Sequence, residues 1–410
     1  MLTALETGVK GGGWYSLMDK VYAPAANLAA AWKRVRGNRG AAGVDRQSVE
    51  MFERHAPKYL DELHRELREG SYRPSAVRRQ WIPKPGSTKE RPLGIPTVRD
   101  RIVQSALRHV LEPIWEVKFA DQSHGFRPGR SCKDALRRVD DLLHAGFTWV
   151  VEADIQSYYD SIDRGRMMAE VAKEVADGKV LKLVEALLEQ PVMEEASKWT
   201  PETGIPQGST IGPLLANIYL HPVDEAVVRA GFELTRYADD LVILCKTEQE
   251  AQQALVRLRE EMTGRGLALH PEKTGVVDMT QSGGFEFLGY HFERNEKRPR
   301  KKSLAKLKDR VRSLTKRNNG RSLEAIIAGL NPVVRGWFEY FKHSHRRTFT
   351  SLDGWIRMRL RSILRRRQKK RGVARGWSNI RWPNAYFAKL GLFTMTIARA
   401  SARQSLQGAH

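Results

Sequence analysis

Apolar residues recur at helical spacing over residues 25–70. "AANLAAAWKRVRGN" and "YLDELHRELREG" each carry an apolar face, and the second ends on a glycine. Between them "RGNRGAAGVDR" reads as a glycine-rich loop. "AVRRQWIPKPGSTKERPLGIP" alternates instead, and its Pro-Gly punctuation predicts a hairpin turning near Pro85 and Gly86. "VRDRIVQSALRHVLEPIWEVKF" and "SCKDALRRVDDLLHAG" are amphipathic helices by the same spacing. The apolar run at Trp149, Val150, Val151 and Ala153 predicts a strand that ends at Asp154. Residues 165–190 read as helical, and "GPLLANIYLHPVDEAVVRAG" as a further long helix. "FELTRYADDLVILCK" reads as two short strands joined by a tight turn at Ala238 and Asp239. "TEQEAQQALVRLREEMTGRG" is a helix with a threonine cap and a glycine stop. "LALHPEKTGVV" and "GGFEFLGYHF" read as strands, and from about residue 303 the chain is helical again.

Strands and helices do not alternate regularly between residues 74 and 292. The pattern suits an antiparallel sheet with helices on one face, an α+β arrangement. A length of 410 residues suggests two to four folding units, and a hydrophobic fraction of 41% is enough for a sizeable core. No apolar run reads as a transmembrane helix, and the N-terminus lacks the basic-then-apolar pattern of a signal peptide. Cys132 and Cys245 alone make neither a disulfide framework nor a zinc site, so a reducing, cytoplasmic setting is expected.

Charge changes the picture more. The net charge is +23, and residues 297–381 hold 27 Lys or Arg against 4 Asp or Glu, so the rest of the chain is neutral. A neutral body joined to a basic region is the electrostatic footprint of a polyanion binder. A solubilising surface or an anionic-membrane patch is the rival reading. The aromatic and apolar residues interleaved with the charges favour a folded binding surface. In "SLDGWIRMRLRSILRRRQKKR", Leu352, Trp355, Ile356, Leu360, Ile363 and Leu364 form one apolar stripe. Arg357, Arg359, Arg361, Arg365 and Arg366 are expected on the other faces, available to backbone phosphates.

Asp154 ends one apolar strand, and Asp239 and Asp240 sit in the turn of an apolar hairpin. Carboxylates at the tips of core strands are costly unless they are paired or hold cations. If the strands are neighbours, the carboxylates can share two Mg²⁺ ions, the usual device for in-line phosphoryl transfer. Asp154 and Asp239 are the expected main ligands, with Asp240 and the carbonyl of Ile155 as further donors.

"DIQSYYDSI", "GIPQGSTIGPLLANIYL", "RYADDLVIL", "GLALHPEKT" and "FEFLGYHF" occur in this order. They resemble the successive motifs of reverse transcriptases encoded by bacterial group II introns. The resemblance extends upstream through "RPLGIPTVRDRIVQ" and "SHGFRPGRSCKDAL" and downstream through "GWFEYF" and "GWIRMRLR", covering about residues 30–395. It implies a right-hand polymerase: an N-terminal extension and start of fingers over 1–70, fingers over 71–148, and a palm over 149–295. Residues 296–410 would be a helical basic thumb, or maturase domain, with a tail.

The resemblance also assigns roles. Tyr159 would be the steric gate against ribonucleotides, and Gln207 would contact template and nucleotide, with Gly208 permitting close backbone approach. Arg78, Lys84 and Arg91 would grip the triphosphate, and Lys273 would lie near the primer end. Phe126 and Arg127 would meet the template strand, and Arg357, Arg361 and Arg365 the template–primer duplex. Ser209 and Gly212 depart from the family, which often has glycine and serine there. His124 reads as a hydrogen-bonded structural histidine, not a ligand. No Cys/His-rich nuclease segment and no RNase H domain are evident, so a form lacking the C-terminal endonuclease is expected. The expected partners are an RNA template, a DNA or RNA primer, dNTPs and intron RNA. An RNA-directed DNA polymerase stands beside two other readings: a non-enzymatic RNA-binding maturase, and a domesticated relative in DNA repair or phage defence.

Overall fold

The computed structural model describes residues 13–407, apart from 84–89, 196, 295 and 371–375. The first helices follow the apolar spacing. α1 spans Ala29–Asn38 and α2 spans Ala56–Glu69, the latter closed by Gly70 at φ +74°. β1 (Val77–Pro83) and β2 (Glu90–Ile95) pair antiparallel, with Arg78 opposite Ile95 and Ile82 opposite Arg91. Lys84 and the turn expected at Pro85 and Gly86 lie outside the described residues. α3 (Val98–Glu116) starts where the Thr97 hydroxyl accepts the Asp100 amide. α4 (Cys132–His144) starts on a capping box of Ser131 and Asp134.

β3 (Trp149–Asp154) follows as expected. The helical stretch expected over 165–190 is divided into α5 (Arg164–Ala172) and α6 (Gly178–Leu188). The break comes at Asp177, whose carboxylate caps α6 and also accepts the amides of Leu17 and Met18. A short hairpin not expected from the sequence, β4 (Val192–Glu194) and β5 (Ser197–Trp199), adds to β1 in the order β2-β1-β4-β5. Its strands are too short for a periodic signal. α7 (Gly212–Arg229), β6 (Glu233–Tyr237), β7 (Asp240–Cys245) and α8 (Glu248–Gly264) follow. β8 is confined to Gly275–Asp278. The "LALH" segment makes only an isolated bridge between Leu269 and Ile155, because the chain turns at once through Pro271, which has no N–H to donate.

The four strands β6-β7-β3-β8 form an antiparallel sheet. α8 lies against β3, β7 and β8, and α4 lies against β6 and β7. Val150 and Val151 of β3 are both fully buried, which explains why a strand with a carboxylate at its end is otherwise apolar. The α+β class expected from the sequence is therefore observed. One apolar cluster, including Leu63, Leu107, Leu188, Ile218 and Leu258, runs through this part of the chain.

The chain divides into two compact units, Met1–Asp278 and Met279–His410. In the second, β9 (Phe285–Phe287), β10 (Tyr290–Glu293) and β11 (Glu296–Pro299) form a small sheet. A division at 295/296, as read from the sequence, falls between β10 and β11, which pair with each other. The sheet is instead tied to the following helices. The Tyr290 hydroxyl donates to the Tyr340 carbonyl, and the Tyr340 hydroxyl donates to the Leu288 carbonyl, at 2.7 Å each. α9 (Lys301–Leu314), α10 (Leu323–Phe341), α11 (Arg346–Arg367) and α12 (Met395–Gln407) build the rest. No helix among the described residues is long and apolar enough to cross a membrane.

The apolar stripe of α11 is confirmed: Leu352, Ile356, Leu360 and Ile363 are buried in the second core. Its arginines divide into two kinds, which corrects the expectation that all face outward. Arg361 is buried, donating to the Trp382 carbonyl at 2.8 Å and to Asn384 Oδ1 at 2.9 Å, with Phe387 under its guanidinium. It therefore pins the chain after α11 and is not offered to phosphates. Arg359 is likewise engaged, by Thr315. Arg365 is half-buried beside Ser378, Arg357 is half-exposed and Arg366 is exposed. Arg361→Ala is expected to cost the second unit about 2–3 kcal/mol, since two hydrogen bonds from a charged donor are lost and the buried Trp382 carbonyl is left without its donor. Urea unfolding should show it, with Arg357→Ala within about 0.5 kcal/mol of the parent. Equal effects of the two would refute the distinction.

Candidate active site

The β3–β7 register places Asp154 directly opposite Asp240. The β6–β7 hairpin turns through Ala238, in the left-handed region at φ +59°, and Asp239. This brings the three aspartates singled out in the sequence to one end of the sheet. Burial pushes the Asp239 carboxyl above its usual range, and the neighbouring charge of Asp154 adds to the effect. Lys273 places its ammonium 2.5 Å from Asp154 Oδ2. Two further bonds fix the strand end: the Asp154 carbonyl accepts His270 N–H, and Gln156 N–H donates to the Ala268 carbonyl, both at 2.8 Å. Neither uses the carbonyl of Ile155.

The donor set suits a hard divalent cation, being made of carboxylate oxygens. Asp239 is destabilised as an anion, and Lys273 already supplies positive charge at Asp154. Both are signs of a site that works with cations nearby. Among the described residues, however, no three His, Cys, Asp or Glu are gathered closely enough to hold a metal by themselves.

Tyr159 follows Asp154 on the one-turn helix Tyr158–Ser161. It packs edge-on to Tyr158 at 5.6 Å, and its hydroxyl is pushed up to about 12 by burial and by the Asp239 charge. Gly212 leaves room beside this ring; a Cβ there would stand 3.7 Å from Tyr159 Cε1. The Gln207–Gly208 turn lies against β2: Gly94 N–H donates to the Gln207 carbonyl at 2.6 Å. Gly208 has φ +109°, and a Cβ would come within 2.4 Å of the Gly94 carbonyl oxygen, so only glycine fits.

The other expected residues fare differently. Arg91 is exposed on β2. Arg78 is partly committed, since its guanidinium donates twice to the Ala42 carbonyl and so ties β1 to the glycine-rich loop. Phe126 is exposed and leans on Tyr237, with ring centres 6.4 Å apart. Arg127 is a correction. Its side chain is 2% exposed, paired with Glu116 at 2.8 Å and donating to the carbonyls of Ala120 and Ser123. It holds the loop together and has no donor to offer a template. His124 is buried, and burial lowers its pKa to about 4, but neither ring nitrogen meets a protein hydrogen-bond partner among the described residues, so the hydrogen bonding expected of it is not observed.

Sequence reasoning missed the brace beneath the turn. Arg236 and Asp224, each 1% exposed, form a bidentate pair at 2.7 and 2.5 Å. Arg236 also donates to Asn217 Oδ1 and to the Ala238 carbonyl, both at 2.9 Å. Burial opposes the charge on Arg236, but Asp224 outweighs it and raises its pKa. Asn217 in turn donates to the Gly125 carbonyl at 2.8 Å. Gly125 itself packs on the turn, where a Cβ would lie 2.3 Å from the Ala238 nitrogen. The signal was present as Asn217, His221 and Asp224, polar residues one turn apart along one side of α7.

An antiparallel sheet with paired carboxylates at one end, an aromatic beside them and a glycine turn packed on β2 is the arrangement that the comparisons with known proteins bear on. Residues 82–292 match the family model of reverse transcriptase (RNA-dependent DNA polymerase), and residues 304–382 match that of the group II intron maturase-specific domain. The chain is 36% identical over 214 residues to group II intron-encoded protein LtrA of Lactococcus lactis, covering 52% of this chain and 35% of LtrA. It is 32% identical over 315 residues to protein YkfC of Escherichia coli, covering 66% of this chain and 81% of YkfC. Among solved structures, apo telomerase from Candida tropicalis aligns with a TM-score of 0.44 and 14% identity over 55% of each chain. The chain belongs to the reverse transcriptase family and joins that domain to a group II intron maturase-specific domain. The resemblance read from the motifs is thus borne out, while the chain spans about a third of the length of LtrA.

The brace carries a prediction. Asp224→Asn leaves a buried guanidinium with no opposing charge, and the first unit is expected to lose about 3–5 kcal/mol. A urea midpoint equal to that of the parent would show that the pair does not hold the turn.

Proposed function

We propose that this protein is an RNA-directed DNA polymerase of the group II intron type, adding dNTPs to a primer 3′-hydroxyl on an RNA template. The observation that carries this reading is the convergence of Asp154, Asp239 and Asp240 at one end of the sheet, beside Tyr159. Asp154 and Asp239 would hold two Mg²⁺ ions, with Asp240 and the Ile155 carbonyl as further donors. When bound, the ions supply activation of the primer hydroxyl and neutralise charge on the triphosphate and leaving pyrophosphate.

The chain's own residues do the rest. The Tyr159 ring occupies the space a 2′-hydroxyl would need, which selects deoxyribonucleotides. Gly208 lets the backbone approach the nascent pair, and Gln207 contacts it. Arg91 offsets triphosphate charge from β2, with Arg78 and Lys84 as the other cations of that hairpin. Lys273 pairs with Asp154 and stands near the primer end. Phe126 offers an exposed ring to the template strand.

The basic maturase-specific domain supports a second duty, binding intron RNA as a ribonucleoprotein to assist splicing and retrohoming. Arg357 and Arg365 remain candidates for phosphate contact in that unit. A cytoplasmic location fits this use.

Primer extension on an RNA template with dNTPs and Mg²⁺ tests the reading. The parent should extend and Asp239→Ala should fall by at least about 1,000-fold, as expected when transition-state charge loses its counter-ion. Extension by neither, with salt-sensitive RNA binding retained, would favour a purely RNA-binding maturase. Tyr159→Ala should lower the dNTP-over-rNTP preference in kcat/KM by at least about tenfold, a difference of about 1.4 kcal/mol. An unchanged preference would remove the gate assignment.

A further inference from the structure

We propose that Ser209 and Gln104 are positioning residues for the incoming nucleotide, acting by clamping the Gln207–Gly208 turn from its buried side. The proposal rests on the polymerase reading above.

Gln104 is fully buried in the middle of α3, among Ile102, Val103, Ala106 and Leu107. A primary amide in such surroundings is costly unless it is hydrogen-bonded. Here its oxygen accepts the Thr210 amide at 2.8 Å and the Ser209 hydroxyl at 3.2 Å. The Thr210 amide can only donate, which fixes the orientation of the Gln104 side chain. Its nitrogen therefore points away from the turn and donates to Gln190 Oε1 at 3.3 Å.

Gln190, 1% exposed, passes the constraint on. Its nitrogen donates to the Ser75 carbonyl at 2.8 Å and to Asp100 Oδ2 at 3.4 Å. The other Asp100 oxygen accepts the Tyr72 hydroxyl at 2.6 Å. Donors and acceptors thus run in one sense from Ser209 to Asp100, with no amide free to flip without breaking a bond. On the opposite side, the Gln207 carbonyl is held by Gly94 and Gly208 is packed against the same residue. The turn is gripped between α3 and β2, and the backbone that must approach a base pair has little freedom to rise or fall. Neither Ser209 nor Gln104 needs to touch the nucleotide.

The test compares Ser209→Ala, Gln104→Met and Gln190→Met with the parent in steady-state extension on an RNA template. Removing one hydrogen bond from the clamp should raise the KM for dNTP about three- to tenfold. The kcat and the template–primer Kd should stay within about twofold. Gln104→Met should exceed Ser209→Ala, because the Thr210 amide loses its acceptor too, and Gln190→Met should act in the same direction. Amide exchange over 206–211 should quicken in step with KM. A merely structural role would lower the melting temperature and the active fraction while leaving KM unchanged, and that result overturns the proposal. If Gln104→Met does not fold, Ser209→Ala decides alone. A parent that fails to extend at all would overturn the polymerase reading along with this one, whereas an active parent with an unchanged KM in Ser209→Ala overturns the clamp only.

Discussion

The buried pair of Arg236 and Asp224 is the interaction on which the site depends. Two charges taken out of water gain from each other only when the geometry is close to ideal and the remaining donors are used. Arg236 meets that condition through two bonds to Asp224, one to Asn217 and one to the Ala238 carbonyl. The last of these is the link from stability to chemistry. It holds a left-handed residue at the apex of the hairpin and so fixes where Asp239 emerges. A turn of this kind in water would sample many shapes. Here α7, β6 and the loop at Gly125 all bear on the same few atoms.

The fold was legible where periodicity ran long enough. β3, the β6–β7 hairpin, α7, α8 and the stripe of α11 all lie where apolar spacing placed them. The misses share a cause. β4 and β5 are three residues each, and "LALH" looks like a strand yet finds only one bridging partner. Such segments are defined by the neighbour they meet, which a single sequence does not state.

Site residues divide along the same line. The aspartates could be located because carboxylates at the ends of apolar strands stand out, and Tyr159 because the family resemblance singled it out. Charge alone was a poor guide for the arginines. Arg127 and Arg361 have the composition of polyanion contacts but spend their donors on Glu116, Trp382 and Asn384. A guanidinium has five donors in a fixed plane, which makes it as good a staple for carbonyls as a ligand for phosphate. Only the surroundings distinguish the two uses. Conversely, Gln104 and Asn217 left a sign in the sequence, being polar side chains at helical spacing from other polar residues, Asp100 in one case and His221 and Asp224 in the other, within helices rich in apolar residues.

The segment before Phe126 does more than place a ring beside the hairpin. Ser123 bridges Arg236 in parallel; the Arg236 amide donates to Gln122 and its carbonyl accepts from His124. β6 is the outermost strand on that side of its sheet. An outer strand with unpaired amides and carbonyls is a template on which a second chain can add, and many proteins aggregate by that route. Here the chain covers its own margin with a three-residue patch of irregular backbone. The loop that steadies the hairpin also keeps the sheet from growing into a neighbouring molecule.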